Sequence, residues 1–324
     1  MGKNRTLNKK NGQEAQPVKI IFNPAAGSNR ESPNQLMDVI KEMQARKFVA
    51  EIYLTEPNSD LPGVVRAGIE QGIKLFVVCG GDGTVSSVVR AMTGTGATLG
   101  IIPGGTQNNV AFSLGIPTDI PAAADILGKG KNVKADIGFV TCCGVSMPFL
   151  ELCSVGLFSA LFESGDDIQH GNISRIGDFL ATLTTSPPSE IHIRLDDKEK
   201  MTHTGHMVLV SNMPYVGRHY HVGSHNSYCD GLLDILFCSD ISKLDLMLGY
   251  ILKTQEKDTM TDSRIKIFHA QTIDIDTHPA MPVMADGILL GEGPAHIEIK
   301  KHALNIIVPK ASNMETEAGE SLEK

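Results

Sequence analysis

The chain's 324 residues exceed the usual size of one domain, and an apolar share of 41% is ample for ordinary globular cores, so two domains are expected. A net charge of −8, with no Trp and 5% aromatic residues, excludes a dedicated nucleic-acid binder, which needs a basic footprint or stacking platforms. No apolar run reaches the roughly 18 residues of a membrane-spanning helix, and the polar N-terminus lacks the apolar region of a secretory signal, so a soluble or peripheral protein is expected.

Residues 1–16 carry Lys3, Arg5, Lys9 and Lys10 ahead of the first acid, Glu14, and are expected to form a flexible basic tail. Their start, Met1 to Thr6, fits the short myristoylation pattern, which has meaning only in a eukaryote. From Val18 to about Leu127 strands alternate with helices. The strands are Val18–Phe22, Val49–Leu54, Leu75–Cys79 and Leu99–Ile102. Helical patterns follow them: Leu36, Val39, Ile40 and Met43; Val64–Ile69; Val85, Val88, Val89 and Met92; then 107–114 and 120–127. This alternation specifies parallel strands joined by helices, over an α/β nucleotide-binding domain of residues 17–135. After about Asp136 the pattern changes to short runs of period two: Ile191–Leu195, Met207–Val210, Leu233–Phe237, Ile265–Ile275 and His296–Ile299. Residues 136–310 therefore read as an antiparallel β-sandwich domain, with helical insertions near Ser174–Leu183 and Lys243–Leu252. The last strand has the option of returning to the first domain, and residues 311–324 read as a disordered tail.

Ligands of open α/β sheets bind beyond the C-terminal strand ends. Three glycine-bearing turns lie there: Asn23-Pro24-Ala25-Ala26-Gly27, Gly80-Gly81-Asp82-Gly83-Thr84, and Pro103-Gly104-Gly105-Thr106-Gln107-Asn108. In the second of these a buried strand opens through glycines into a helix, so backbone N–H groups can approach a polyphosphate closely. Asp82 suits an anion site only if a cation or a hydroxyl proton is handled there, which points to phosphoryl transfer. By itself the turn reads as readily as a capped glycine turn. The six cysteines, Cys79, Cys142, Cys143, Cys153, Cys229 and Cys238, lack CxxC spacing and lie mostly in apolar runs. Buried free thiols in a reducing, cytoplasmic setting are expected.

With these three turns in order, the chain resembles the diacylglycerol kinase catalytic family, which includes soluble bacterial lipid kinases and the sphingosine and ceramide kinases. The resemblance runs from about Val18 to Pro309 and includes Asp230-Gly231-Leu232-Leu233-Asp234. It implies an NAD kinase/phosphofructokinase-like sheet and transfer of the ATP γ-phosphoryl group to a hydroxyl of diacylglycerol or a related lipid alcohol. It further implies that Asn23, Gly27, Thr55, Gly80, Gly81, Asp82, Gly83, Thr84, Gly105, Thr106 and Asn108 contact ATP. Asp82 is then the acid beside the transferred phosphate and its Mg²⁺. Ser227, Asp230 and Leu232 are implied as oxygen ligands of a structural Mg²⁺. A lipid substrate at the inner membrane surface follows, with an apolar slot along Phe149–Phe162; a homodimer stays open.

Three positions depart from the family pattern. Asn109 stands where an Asp is frequent. Gly217-Arg218-His219-Tyr220-His221-Val222 replaces a glycine-rich loop, and His219, His221 and His225 read as a solvated or substrate-edge loop ahead of a zinc site. Asp286-Gly287-Ile288 replaces the usual Asp-Gly-Glu, whose Glu is thought to deprotonate the lipid. Isoleucine accepts no proton, so Asp286, with Glu292 as its competitor, is the expected base; Asp82 acting alone, or a loss of activity, are the other outcomes. The rival readings are an NAD-kinase-like or soluble-alcohol kinase and a non-catalytic nucleotide- or lipid-binding protein.

Overall fold

Strand β3 (Leu75–Gly80) is buried at every position, as its unbroken apolar run requires of a strand covered on both faces. Around it lie β1 (Gln16–Phe22), β2 (Phe48–Leu54) and β4 (Thr98–Pro103), all parallel, in the order β2-β1-β3-β4. This is a computed structural model, and it describes residues 16–27, 32–156, 188–216, 220–222, 227–239 and 265–310. The connecting helices are α1 (Ser32–Ala45), α2 (Leu61–Glu70), α3 (Asp82–Met92), α4 (Asn109–Ser113) and α5 (Ile120–Lys129). Two of them start on matched signals. Asp60 accepts the Gly63 N–H and Asp119 accepts the Ala122 N–H, each with a proline in the first turn. The sequence pattern over 107–114 contracts to the five residues of α4, because Asn108 is left-handed and starts the helix late.

The remaining strands are antiparallel to their partners, apart from one pairing of the last. They are β5 (Lys131–Cys142), β6 (Val145–Phe149), β7 (Leu152–Gly156), β8 (Ser189–Leu195), β9 (Glu199–Ser211), β10 (Tyr215–Val216), β11 (Tyr220–His221) and β12 (Leu233–Ser239). After them come β13 (Ile265–Ala270), β14 (Thr272–His278), β15 (Pro282–Ala285), β16 (Ile288–Glu292) and β17 (Ala295–Val308). They form the C-terminal β-sandwich, whose core includes Phe149, Val155, Val208, Ile235, Phe237, Ile273 and Ile297. The apolar run Ile265–Ile275 is two strands rather than one: β13 pairs with β12, and β14 pairs with β8 and β17. Asp196 makes the break at Gln271, accepting the N–H groups of Gln271 and Thr272 at 2.8 and 3.0 Å. The expected helices Ser174–Leu183 and Lys243–Leu252 lie outside the described residues, as do the Met1–Thr6 pattern, His219, His225 and residues 157–162 of the Phe149–Phe162 slot.

Strand β17 joins the two halves. Its first residues pair with β14, Asn305 and Ile306 run parallel to β4, and β5 follows its other edge from Ala295 to Val308. The register shifts between Lys300 and Leu304, where His302 has φ +57° and the buried Asp136 accepts its N–H at 2.7 Å. This bulge turns one strand from the sandwich into the parallel sheet. Fifteen strands thereby form one continuous sheet. Among the described residues no helix is long and apolar enough to cross a membrane.

Candidate active site

The three glycine turns meet at one end of the parallel sheet. The Asn23 N–H donates to the Cys79 carbonyl and its Nδ2 to Thr84 Oγ1, both at 2.9 Å, while Gly104 donates to the Gly80 carbonyl at 3.0 Å. The backbones are packed too closely for side chains. A Cβ on Gly105 would lie 2.4 Å from the Gly81 Cα, and one on Gly27, which has φ +67°, would lie 2.7 Å from the Gly104 carbonyl oxygen. Gly83 differs, because a Cβ there meets no protein atom within 4 Å. Packing inside the protein gives no reason for glycine at that position.

Helix α3 begins at Gly81, an N-cap with no side chain to bond the first N–H groups, so the first turn keeps donors for a ligand. Asp82 stands in that turn, and its Oδ1 accepts the Val110 N–H at 3.0 Å, tying α3 to α4. Asn108, expected as a nucleotide contact, has its side chain committed to its own loop. Its Oδ1 accepts the Gly105 N–H and its Nδ2 donates to the Gly105 carbonyl, both at 2.8 Å, while its backbone is left-handed at φ +53°. Thr106 is exposed at the lip of this turn. Thr55 follows β2 at the same end of the sheet, with its N–H on the Phe22 carbonyl at 2.9 Å.

Across from Asp82 lies the hairpin turn between β15 and β16. Asp286 and Gly287 both have positive φ, +43° and +77°, as an Asp-Gly hairpin turn requires. The Asp286 carboxylate accepts the N–H groups of Leu150, Glu151 and Leu152 at 2.7, 3.0 and 3.1 Å, and the Ser86 side chain bonds to it as well. Burial pushes this carboxyl up, and these hydrogen bonds push it back. Asp286, expected as the base, is thus engaged as a strut for the bend between β6 and β7. Glu292, the other expected base, is exposed at the far end of β16, where its carbonyl accepts from Cys143. Four residues of strand, about 13 Å, separate it from Ile288, so the structure does not bring it to Asp82.

The acid missed in the sequence is Glu151. Its N–H is held by Asp286, and its carbonyl accepts the Asn212 N–H at 3.0 Å. The Asn212 side chain is buried and donates to the carbonyls of Asp136 and Leu150 at 2.9 and 3.1 Å. The Glu151 side chain is half-buried and hydrogen-bonded by Asn109. Burial pushes its carboxyl well above the ordinary carboxylate range, the charges of Asp82 and Asp286 push further, and Asn109 pulls it partly back. Its signal in the sequence is an acid inside the apolar run Phe149–Val155, a place where an acid stands only with partners.

The Asp230 loop lies apart from these groups. Its Oδ1 accepts the Leu232 N–H at 2.9 Å, and Asp136, fully buried, accepts the N–H of Gly231 at 2.7 Å. A Cβ on Gly231 would lie 2.6 Å from the Lys301 ammonium nitrogen, so a cationic side chain already covers the turn. Among the described residues no three His, Cys, Asp or Glu side chains are grouped to hold a metal. One Asp230 oxygen is engaged within its own loop, and with Ser227 and Leu232 in the same turn a cation there would rely on one carboxylate and backbone carbonyls. Of the cysteines whose side chains are described, Cys79, Cys142 and Cys153 are buried as expected and Cys229 partly so, whereas Cys143 is exposed on the hairpin between β5 and β6.

Two family models match the chain: the diacylglycerol kinase catalytic domain over residues 17–140, and the YegS C-terminal NAD kinase beta sandwich-like domain over 167–308. A diacylglycerol kinase of Mycobacterium tuberculosis is 29% identical over 78% of this chain and 82% of its own length. One from Staphylococcus carnosus is 23% identical over 90% and 95%. A Bacillus anthracis diacylglycerol kinase crystal structure superposes with a TM-score of 0.71 at 22% identity, over 93% of this chain and 99% of that one, and shares its fold. With both halves matched in order and the glycine turns assembled at one sheet end, the chain carries a diacylglycerol kinase catalytic domain followed by a YegS-type C-terminal domain, the arrangement of a lipid kinase-like enzyme.

Proposed function

We propose that the protein transfers the γ-phosphoryl group of ATP to a hydroxyl of diacylglycerol or a related lipid alcohol at a membrane surface. The observation that carries this reading is the meeting of the three turns, where α3 starts uncapped beside Asp82 and Gly83 opens onto free space. The first N–H groups of α3 and the Gly104–Thr106 turn bind the phosphates, and the glycines let the backbone come within hydrogen-bond reach. ATP arrives as its Mg²⁺ complex, and the cation neutralises charge that develops on the transferring group. Asp82, fixed by Val110, sets the position of the phosphate end. The acceptor hydroxyl approaches from the side of the β6–β7 bend, where binding aligns it for in-line attack.

The test is a panel of lipid alcohols in mixed micelles with Mg²⁺-ATP, scored for phosphorylated lipid, alongside glycerol and NAD as soluble acceptors. Phosphorylated lipid with idle soluble acceptors supports the reading. Phosphorylation of a soluble acceptor alone replaces it with a soluble-alcohol or NAD-kinase-like activity. ATP binding without turnover on any acceptor makes the protein a binding module.

A further inference from the structure

We infer that Glu151 takes the proton of the acceptor hydroxyl, a role that rests on the kinase reading above. Four acids have a claim on this step, and geometry separates them. Asp286 spends its carboxylate on three backbone N–H groups and Ser86, so a substrate hydroxyl finds its oxygens taken. Glu292 is at the wrong end of β16. Asp82 gives one oxygen to Val110 and belongs to the first turn of α3, where the phosphates bind. Glu151 combines a partly exposed side chain with closeness to Asp82, and its carboxylate accepts from the Asn109 side chain.

The surroundings of Glu151 hold it still. Its N–H is bound to Asp286 and its carbonyl to Asn212, so the backbone is fixed on both sides of the residue, and the Asn109 amide orients the carboxylate. Such support is what keeps a reacting group in one geometry. An aspartate at position 109 would repel this carboxylate, whereas the amide of Asn109 donates to it; Asn109 and Glu151 are a matched pair. The elevated proton affinity of Glu151, caused by burial and by Asp82 and Asp286, brings it nearer the working pH, where a base is most effective. In the step, the acceptor oxygen forms its bond to the γ-phosphorus as the bond to the ADP oxygen breaks. The hydroxyl proton passes to a Glu151 carboxylate oxygen, and ADP leaves with the electron pair.

The test compares the parent protein with Glu151→Gln, Glu151→Ala and Glu292→Gln, using a phosphorylated lipid assay and a fluorescent ATP analogue. Expected are a 10²- to 10⁴-fold fall in kcat for both Glu151 variants, ATP-analogue affinity within threefold of the parent, and parental turnover in Glu292→Gln. Sodium formate should restore at least tenfold of the lost turnover in Glu151→Ala, where the missing side chain leaves room for a small carboxylate, and little in Glu151→Gln. A purely structural role would not respond to formate. Turnover of Glu151→Gln within threefold of the parent overturns the inference. So does a loss that formate leaves unchanged in Glu151→Ala. If the parent itself phosphorylates no lipid, the kinase reading fails first.

Discussion

Replacing Gly83 by alanine separates a glycine kept for the fold from one kept for a ligand. Gly83 occupies the second position of α3, and its added Cβ would meet no protein atom within 4 Å. Alanine is the better helix former by about 1 kcal/mol in a helix interior and by about half of that near an end, so the variant should gain about 0.5 kcal/mol. For a chain of this size that corresponds to a melting temperature higher by about 1 °C. Nucleotide binding should move the other way. A methyl group beside the first N–H donors keeps a phosphate oxygen out of hydrogen-bond range, and one charge-assisted bond contributes about 1.5–3 kcal/mol, so affinity should fall at least about tenfold. Thermal scans without nucleotide and titration with a fluorescent ATP analogue read the two effects separately. Parental affinity in Gly83→Ala would refute the placement of the phosphates on this turn, and a lower melting temperature would refute the view that the glycine is free of protein contacts.

Asp286→Asn should lower stability by about 3 kcal/mol, since an amide has one acceptor oxygen where three N–H groups and Ser86 converge; chemical denaturation reads it, and an unchanged midpoint would show that the strut is dispensable. Glu151→Gln should do the opposite. Because the folded-state proton affinity of Glu151 is raised, its contribution is fully present below the ordinary glutamate range and is lost as pH rises through its folded value, so the variant should be more stable than the parent at neutral pH and equal to it near pH 4. Equal midpoints across that window would remove the electrostatic burden assigned to this residue. Mg²⁺ without nucleotide should raise the melting temperature, and Asp230→Ala should remove that response; an equal response in mutant and parent would exclude a metal at this loop.

Much of the parallel half was legible because its strands are apolar runs that end in glycine, and because each following helix shows a clean apolar face, as with Val85, Val88, Val89 and Met92. The meeting of the three turns followed from topology alone. The antiparallel half was harder. Strands β6, β15 and β16 are four or five residues long, and the break at Gln271 depends on Asp196, 75 positions away. The site diverged where side chains answer to distant backbone. Asp286 occupies a motif position and looks catalytic in one dimension, but its donors come from Leu150 to Leu152. Glu151 belongs to no motif, and only the fold places it beside Asp82 and Asn109.

The position of β17 has a consequence for how the protein is made. A chain synthesised from its N-terminus completes β1 to β4 early, yet the neighbour of β4 in the finished sheet leaves the ribosome only after β5 to β16. Until then β4 is an open edge whose residues Leu99, Ile101 and Ile102 belong to the core, the kind of edge that pairs with other chains. The three glycine turns are thus translated ahead of the strand that completes their sheet. Any release of the chain before Ala295 leaves both halves unfinished.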